Sequence, residues 1–192
     1  MNLVGNSCIA SWITNRILKN EFSNPFTWCI MDFESSYNLV KYWDEIDFTN
    51  YELVKDDDWN FSIIIDNKVK IQYVHYKFSP KYSKPTKVGE DIFYNKIWEY
   101  ITDKYNSRVN RMLKNKEDPI FIFACAKGAV NKRSSFTIEQ QQKLASLNSK
   151  YKIILSFDNM IKDEKILTLQ QNKNYKGNTL EMAKFLYSSL KF

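Results

Sequence analysis

Two side chains of this chain could do covalent chemistry together: Cys8, in the run Gly5-Asn6-Ser7-Cys8, and His75, the one histidine among 192 residues. A thiol reacts as its thiolate. The positive end of a helix lowers a thiol pKa below the free value of about 8.5. An apolar run over 2–4 precedes the Gly5–Cys8 cluster, and Ile9, Ile13 and Ile17 repeat at four-residue spacing after it. This pattern predicts a strand followed by a helix from about Cys8 to Lys19, with Cys8 in its first turn. The unpaired N–H groups there would double as an oxyanion hole. A cysteine nucleophile needs a base, and His75 is the one imidazole on offer. The ordinary readings are that Ser7 or Asn6 caps the helix, Cys8 packs as a small hydrophobe, and His75 packs on an apolar strand face.

A third group would orient His75. The stretch "WNFSIIIDNKVKIQYVHYKF" reads as a hairpin around an Asp66-Asn67 turn. If those two residues form the loop, Ile65 faces Lys68, and His75 lies opposite Asp58, near Asp57, Trp59 and Asn60. A one-residue slip exchanges these neighbours. Asp58 and Asn60 are therefore candidates, Asp58 slightly ahead, with Asp158 of "SFDN" as a rival. The competing reading of Asp56-Asp57-Asp58 is a solvated turn. Ser7 is a second candidate nucleophile, since "GNS" after a strand is similar to hydrolases whose serine follows a Gly-Asp/Asn pair. Their Asp-x-x-His near the C-terminus is absent here.

Lys127, Lys132 and Arg133 surround Gly128 in a basic loop that could bind the phosphates of a nucleotide or coenzyme A. The loop lacks P-loop spacing, and a solvated loop is its default reading. Arg108 and Arg111 lie three apart on one helical face, fitted to clamp a carboxylate or phosphate or to form a surface ion pair. Asn6 and Ser7 join them as candidate substrate contacts.

The elements that must position these groups alternate. Helices are predicted over about Phe33–Trp43, Ile92–Leu113 (with Ile97, Ile101 and Tyr105 on one face) and "FTIEQQQKLASLN", where Thr137 is the expected N-cap three residues before Gln140. "PIFIFACA" (119–126) and "YKIILSF" (151–157) are continuous apolar runs of the kind found in buried parallel strands. "KILTLQQ" is a candidate strand, and "NTLEMAKFLYSSLKF" a candidate last helix. Phe26 and Trp28 are expected as buried anchors of the loop around Pro25, and Cys29 and Cys125 as core. The sum is one α/β domain over 1–192, with a mixed sheet, helices on both faces and a β-hairpin. Sites in such sheets collect at the carboxyl ends of strands.

Composition narrows the classes. Hydrophobic residues make up 44% and aromatics 16%, which fits a packed core rather than disorder. The net charge of +6 is modest and spread along the chain, and no nucleic-acid-binding signature accompanies it. The three cysteines are far apart and form neither a disulfide framework nor a metal pair, and with one histidine no metal is expected. No apolar run approaches the ~20 residues of a membrane span, and no signal-peptide pattern opens the chain. The expected location is the cytoplasm, free or peripheral to the inner membrane.

"NSC" before a helix, "NPFTW…DF…Y…LV", "VKIQYVHYKF", "W…R…R" and "PIFIFACA" form an ordered set over roughly residues 2–160. In order and spacing the set resembles a group of bacterial proteins linked to capsule or exopolysaccharide biosynthesis. These have a predicted papain-like Cys/His site and are related in style to the WcbI-type proteins. The resemblance matches Cys8 to the family's early cysteine and His75 to its "HY" histidine. It implies an acyl (acetyl) transferase using coenzyme A or acetyl-CoA, with a polysaccharide or sugar precursor as acceptor. The other readings are a cysteine hydrolase of a peptide, amide or ester, and a non-catalytic binding protein of the polysaccharide assembly system.

Overall fold

The computed structural model of the chain describes residues 2–5, 11, 23–55, 61–73, 90–115, 117–124, 136–157 and 166–170. It is an α/β structure whose strands divide between two sheets. Strands β1 (Asn2–Gly5), β5 (Pro119–Ala124), β6 (Lys152–Phe157) and β7 (Ile166–Gln170) form a parallel sheet in the order β1-β5-β6-β7. Strands β2 (Tyr51–Lys55), β3 (Phe61–Ile65) and β4 (Val69–Tyr73) form an antiparallel sheet in sequence order. Three helices are described: α1 (Phe33–Lys41), α2 (Glu90–Asn115) and α3 (Ile138–Ala145). The sequence pattern implies one mixed sheet; the two strand directions are instead segregated. Parallel strands need long crossovers and two covered faces, whereas the hairpin pairs locally.

Local chemistry accounts for the helices. Asp32 caps α1, its Oδ1 accepting from Ser35 N at 2.8 Å. Thr137 and Gln140 form the expected capping box at α3, with bonds of 3.2 and 2.9 Å. In α2 the anticipated Ile97, Ile101 and Tyr105 are buried, and Arg108, Val109 and Met112 continue the same face. The central strand β5 buries Phe121, Ile122 and Phe123, as its unbroken apolar sequence requires. The helices expected at 8–19, of which only Ser11 is described, and at 178–192, lie outside the described residues.

The hairpin corrects the sequence reading by one residue. Ile65 pairs with Val69, not Lys68, and Phe61 pairs with Tyr73. Asp66 and Asn67 both adopt left-handed backbone (φ 49° and 51°), and Lys68 N closes the turn on Ile65 O at 2.9 Å. Lys68 then stays in the loop. Its carbonyl accepts from Asn38 at 3.0 Å, and its ammonium pairs with Asp66. The count that set His75 opposite Asp58 assumed the other register, and both of those residues lie outside the described ones. Strand β2 was not anticipated, because Leu53 alone of its five residues is fully buried.

Aromatic rings join the two sheets into one core. Trp43 meets Phe48 (centroids 4.9 Å apart) and, edge-on, Phe121 of β5 (5.5 Å). Tyr51 of β2 lies 4.5 Å from Tyr105 of α2, whose hydroxyl donates to Phe48 O at 3.0 Å. Burial, with the nearby Tyr73 and Tyr51, pushes the Tyr105 hydroxyl far above its ordinary pKa. The outer edge of β4 is covered. Lys70 N donates to Ser35 Oγ of α1 at 3.1 Å, and Ile30 bridges Gln72. No helix among the described residues is long and apolar enough to cross a membrane.

The turn generates two predictions. Asn67→Ala removes the short polar side chain that lets a residue with a Cβ tolerate the left-handed region and should cost about 1 kcal/mol in urea unfolding, while Asn67→Gly should be neutral or stabilising. Hydrogen bonding to Lys68 holds the Asp66 carboxyl below its ordinary value of 3.8. This stabilisation is complete above that value and is lost as pH falls through the lower folded one. Asp66→Asn should therefore flatten the acid arm of stability below about pH 4; an unchanged slope there would contradict the pairing.

Candidate functional site

The sequence-derived site divides into groups the structure describes and groups it does not. Asn6, Ser7, Cys8, Asp58, Asn60, His75, Cys125, Lys127, Lys132, Arg133 and Asp158 lie outside the described residues. Described are the strand ends that lead into them, the segment Ser23–Ile30, and Arg108 and Arg111.

Parallel pairing brings the strand ends together. Gly5 pairs with Ile122, Ala124 with Ser156, and Phe157 with Gln170. The chain therefore leaves β1, β5 and β6 at one edge of the sheet. That carboxyl edge is where α/β sheets assemble sites.

The Ser23–Ile30 segment runs between the elements without regular structure, so side chains must satisfy its backbone. Asn24 does most of this. Its Nδ2 donates to Leu3 O (2.6 Å) and Asn2 Oδ1 (2.8 Å), tying the segment to β1. Its Oδ1 accepts from Phe26 N (3.0 Å) and Thr27 Oγ1 (3.2 Å), an Asx turn that sets up Pro25-Phe26. The next three carbonyls are each taken: Pro25 O by the Tyr73 hydroxyl of β4, Phe26 O by Cys29 Sγ at 3.1 Å, and Thr27 O by Arg108 Nη1 of α2 at 2.8 Å. Phe26 and Cys29 are core, as anticipated, whereas Trp28 is half-buried.

Trp28 has left-handed backbone, φ 63°. A bulky residue there costs roughly 1–2 kcal/mol and persists only where its surroundings over-determine it. Trp28 N donates to Ser11 Oγ at 2.6 Å, and two residues later Ile30 exchanges both backbone bonds with Gln72, at 2.8 and 2.9 Å. These bonds join two places in the chain: Ser11, three residues after Cys8, and Gln72, three residues before His75.

The two arginines occupy different environments. Arg111 is exposed and donates to Ser23 Oγ at 3.2 Å and Ser23 O at 3.5 Å. Arg108 is 3% exposed, its guanidinium 5.7 Å from the Tyr73 ring centroid. Both reach the Ser23–Ile30 segment, and neither forms an ion pair among the described residues. Sequence pattern alone could not find the clamping role of Asn24; its signal was only the Asn-Pro pair of a turn. Among the described residues no His, Cys, Asp and Glu side chains cluster in a way that could hold a metal ion.

No protein-family model matches the chain, and no curated protein matches it significantly.

Asn24 makes four hydrogen bonds, two to β1 and two within its own segment. Asn24→Ala should cost about 2–4 kcal/mol in denaturant unfolding, since four part-buried bonds are lost, each worth roughly 0.5–1 kcal/mol net. A loss under about 0.5 kcal/mol, typical of a surface substitution, would show that the segment holds its shape without this side chain.

Proposed function

We propose that the chain is a Cys/His acyltransferase of bacterial surface-polysaccharide biosynthesis, working in the cytoplasm on a CoA thioester and a sugar hydroxyl. The observation that supports it best is the pair of tethers through Trp28 and Ile30. They link the Ser11 hydroxyl, three residues beyond Cys8, to the Gln72 backbone, three residues before His75. Three residues reach at most about 10 Å, so a shared cleft is within range of both side chains. The parallel sheet supports the same reading: Asn6-Ser7-Cys8 and the basic stretch Lys127–Arg133 follow strands that end at one edge. The acyl group and the polysaccharide acceptor come from the resemblance described above.

In this mechanism His75 holds the proton of Cys8, and the thiolate attacks the thioester carbonyl. The new C–S bond forms as the bond to the coenzyme sulfur breaks, and His75 returns the proton to the departing thiolate. Backbone N–H groups after Cys8 hold the oxyanion. The acceptor hydroxyl then attacks the acyl-Cys8 carbonyl, passing its proton to His75 and releasing the Cys8 thiolate. The phosphates of the donor bind Lys127, Lys132 and Arg133.

Peptide-level mass spectrometry after brief exposure to acetyl-CoA tests this. Cys8 should carry an acetyl group that a sugar acceptor removes, His75→Ala should slow acetylation at least a hundredfold, and iodoacetamide should label Cys8 at about pH 6, well below the pKa of a free thiol. A thiol at Cys8 that reacts no faster than free cysteine would sink the proposal. Labelling without acetyl transfer would point instead to the hydrolase reading.

A further inference from the structure

Arg108 poses an electrostatic problem that the described fold does not solve. Its side chain is almost wholly buried, yet the guanidinium makes one described hydrogen bond, Nη1 to Thr27 O at 2.8 Å, and its Nε–H is buried with no partner. No carboxylate among the described residues pairs with it. Arg111, three residues on in the same helix, is exposed and turned to Ser23. The Tyr73 ring at 5.7 Å offers a cation–π contact. Burying a charge without a counter-ion forfeits more hydration than one carbonyl and one ring return. Holding Thr27 O alone would not need a charge.

The unpaired edge indicates what is missing. A guanidinium presents two-pronged edges, and the Nε–Nη2 edge matches the paired oxygens of a carboxylate or phosphate. With Nη1 engaged by Thr27 O, the edge containing Nε is the one left over. We infer that Arg108 is the receptor for an oxyanion, a carboxylate or phosphate group on a ligand, seated against its Nε edge between α2 and the Ser23–Ile30 segment. If the acyltransferase reading holds, this anion belongs to the acceptor, which would be an acidic or phosphorylated sugar. That assignment rests on the reading above, whereas the anion site does not.

Thermal melts in sodium phosphate and in sodium glucuronate, each matched in ionic strength with sodium chloride, test the site on the intact chain. Each anion that fits should raise the melting temperature saturably, by roughly 3–6 °C at ten times its dissociation constant. Arg108→Met should abolish the rise, Arg108→Lys should weaken binding at least tenfold, and Lys114→Gln, at an exposed cation of the same helix, should preserve it. A larger response to phosphate assigns a phosphorylated ligand, and a larger response to glucuronate assigns a carboxylate. A wild-type melt indifferent to both anions overturns the inference even if Arg108→Met does not fold. So does a response that survives in Arg108→Met. Cys8→Ala should respond as wild type does, so failure of the thiol chemistry and failure of the anion site are separately visible.

Discussion

The segment from Ser23 to Ile30 must bury its backbone without belonging to any helix or sheet, and the surrounding structure is organised around that requirement. An unsatisfied buried peptide group costs about 1–3 kcal/mol. Asn24 binds the segment to β1, Tyr73 and Gln72 bind it to β4, Arg108 binds it to α2, and Ser11 holds its one left-handed residue. Each sheet is thus joined to the other through side chains that complete this one stretch. The backbone strain at Trp28 is tolerable because hydrogen bonds on both sides of it leave no alternative.

The aromatic seam provides the non-directional counterpart. Phe26 projects from the same segment and meets both Trp43 and Phe48 at 6.1 Å, while Trp43 reaches Phe121 in the parallel sheet. Rings of this size bury much apolar area and still prefer tilted, edge-on contacts, so they fix orientation as well as proximity. The cations separate into two kinds. Lys41, Lys143 and Lys150 lie over tyrosine rings with their ammonium groups in water, the usual way a long cation covers apolar surface. Arg108 is the exception, since its charge goes inside.

Much of the fold was legible in the sequence because it is encoded locally. The burial of Ile97, Ile101 and Tyr105 follows from four-residue spacing, and the Thr137–Gln140 box from residue types at fixed separation. "PIFIFA" reads as a central parallel strand because a strand covered on both faces cannot alternate. Strand β2 was hidden because it alternates weakly. The hairpin slipped by one residue because turn closure depends on whether Lys68 pairs in the ladder or bonds Asn38 and Asp66, a choice made by groups elsewhere in the chain. Of the candidate site, Cys8 and His75 lie outside the described residues, and what the structure describes is that Ser11 and Gln72, each three residues from one of them, bond to the same Ser23–Ile30 segment.

By itself the sequence determined what each stretch could become: helix, buried strand, turn or capped terminus. Those preferences rest on backbone geometry and solvent exclusion acting over a few residues. Only the tertiary structure decided that the strands form two sheets, that Asn24 is a clamp, and that two arginines of the same spacing differ so sharply in environment. Such outcomes depend on which distant backbone groups lack partners and which charges lose their water, and no local pattern records either.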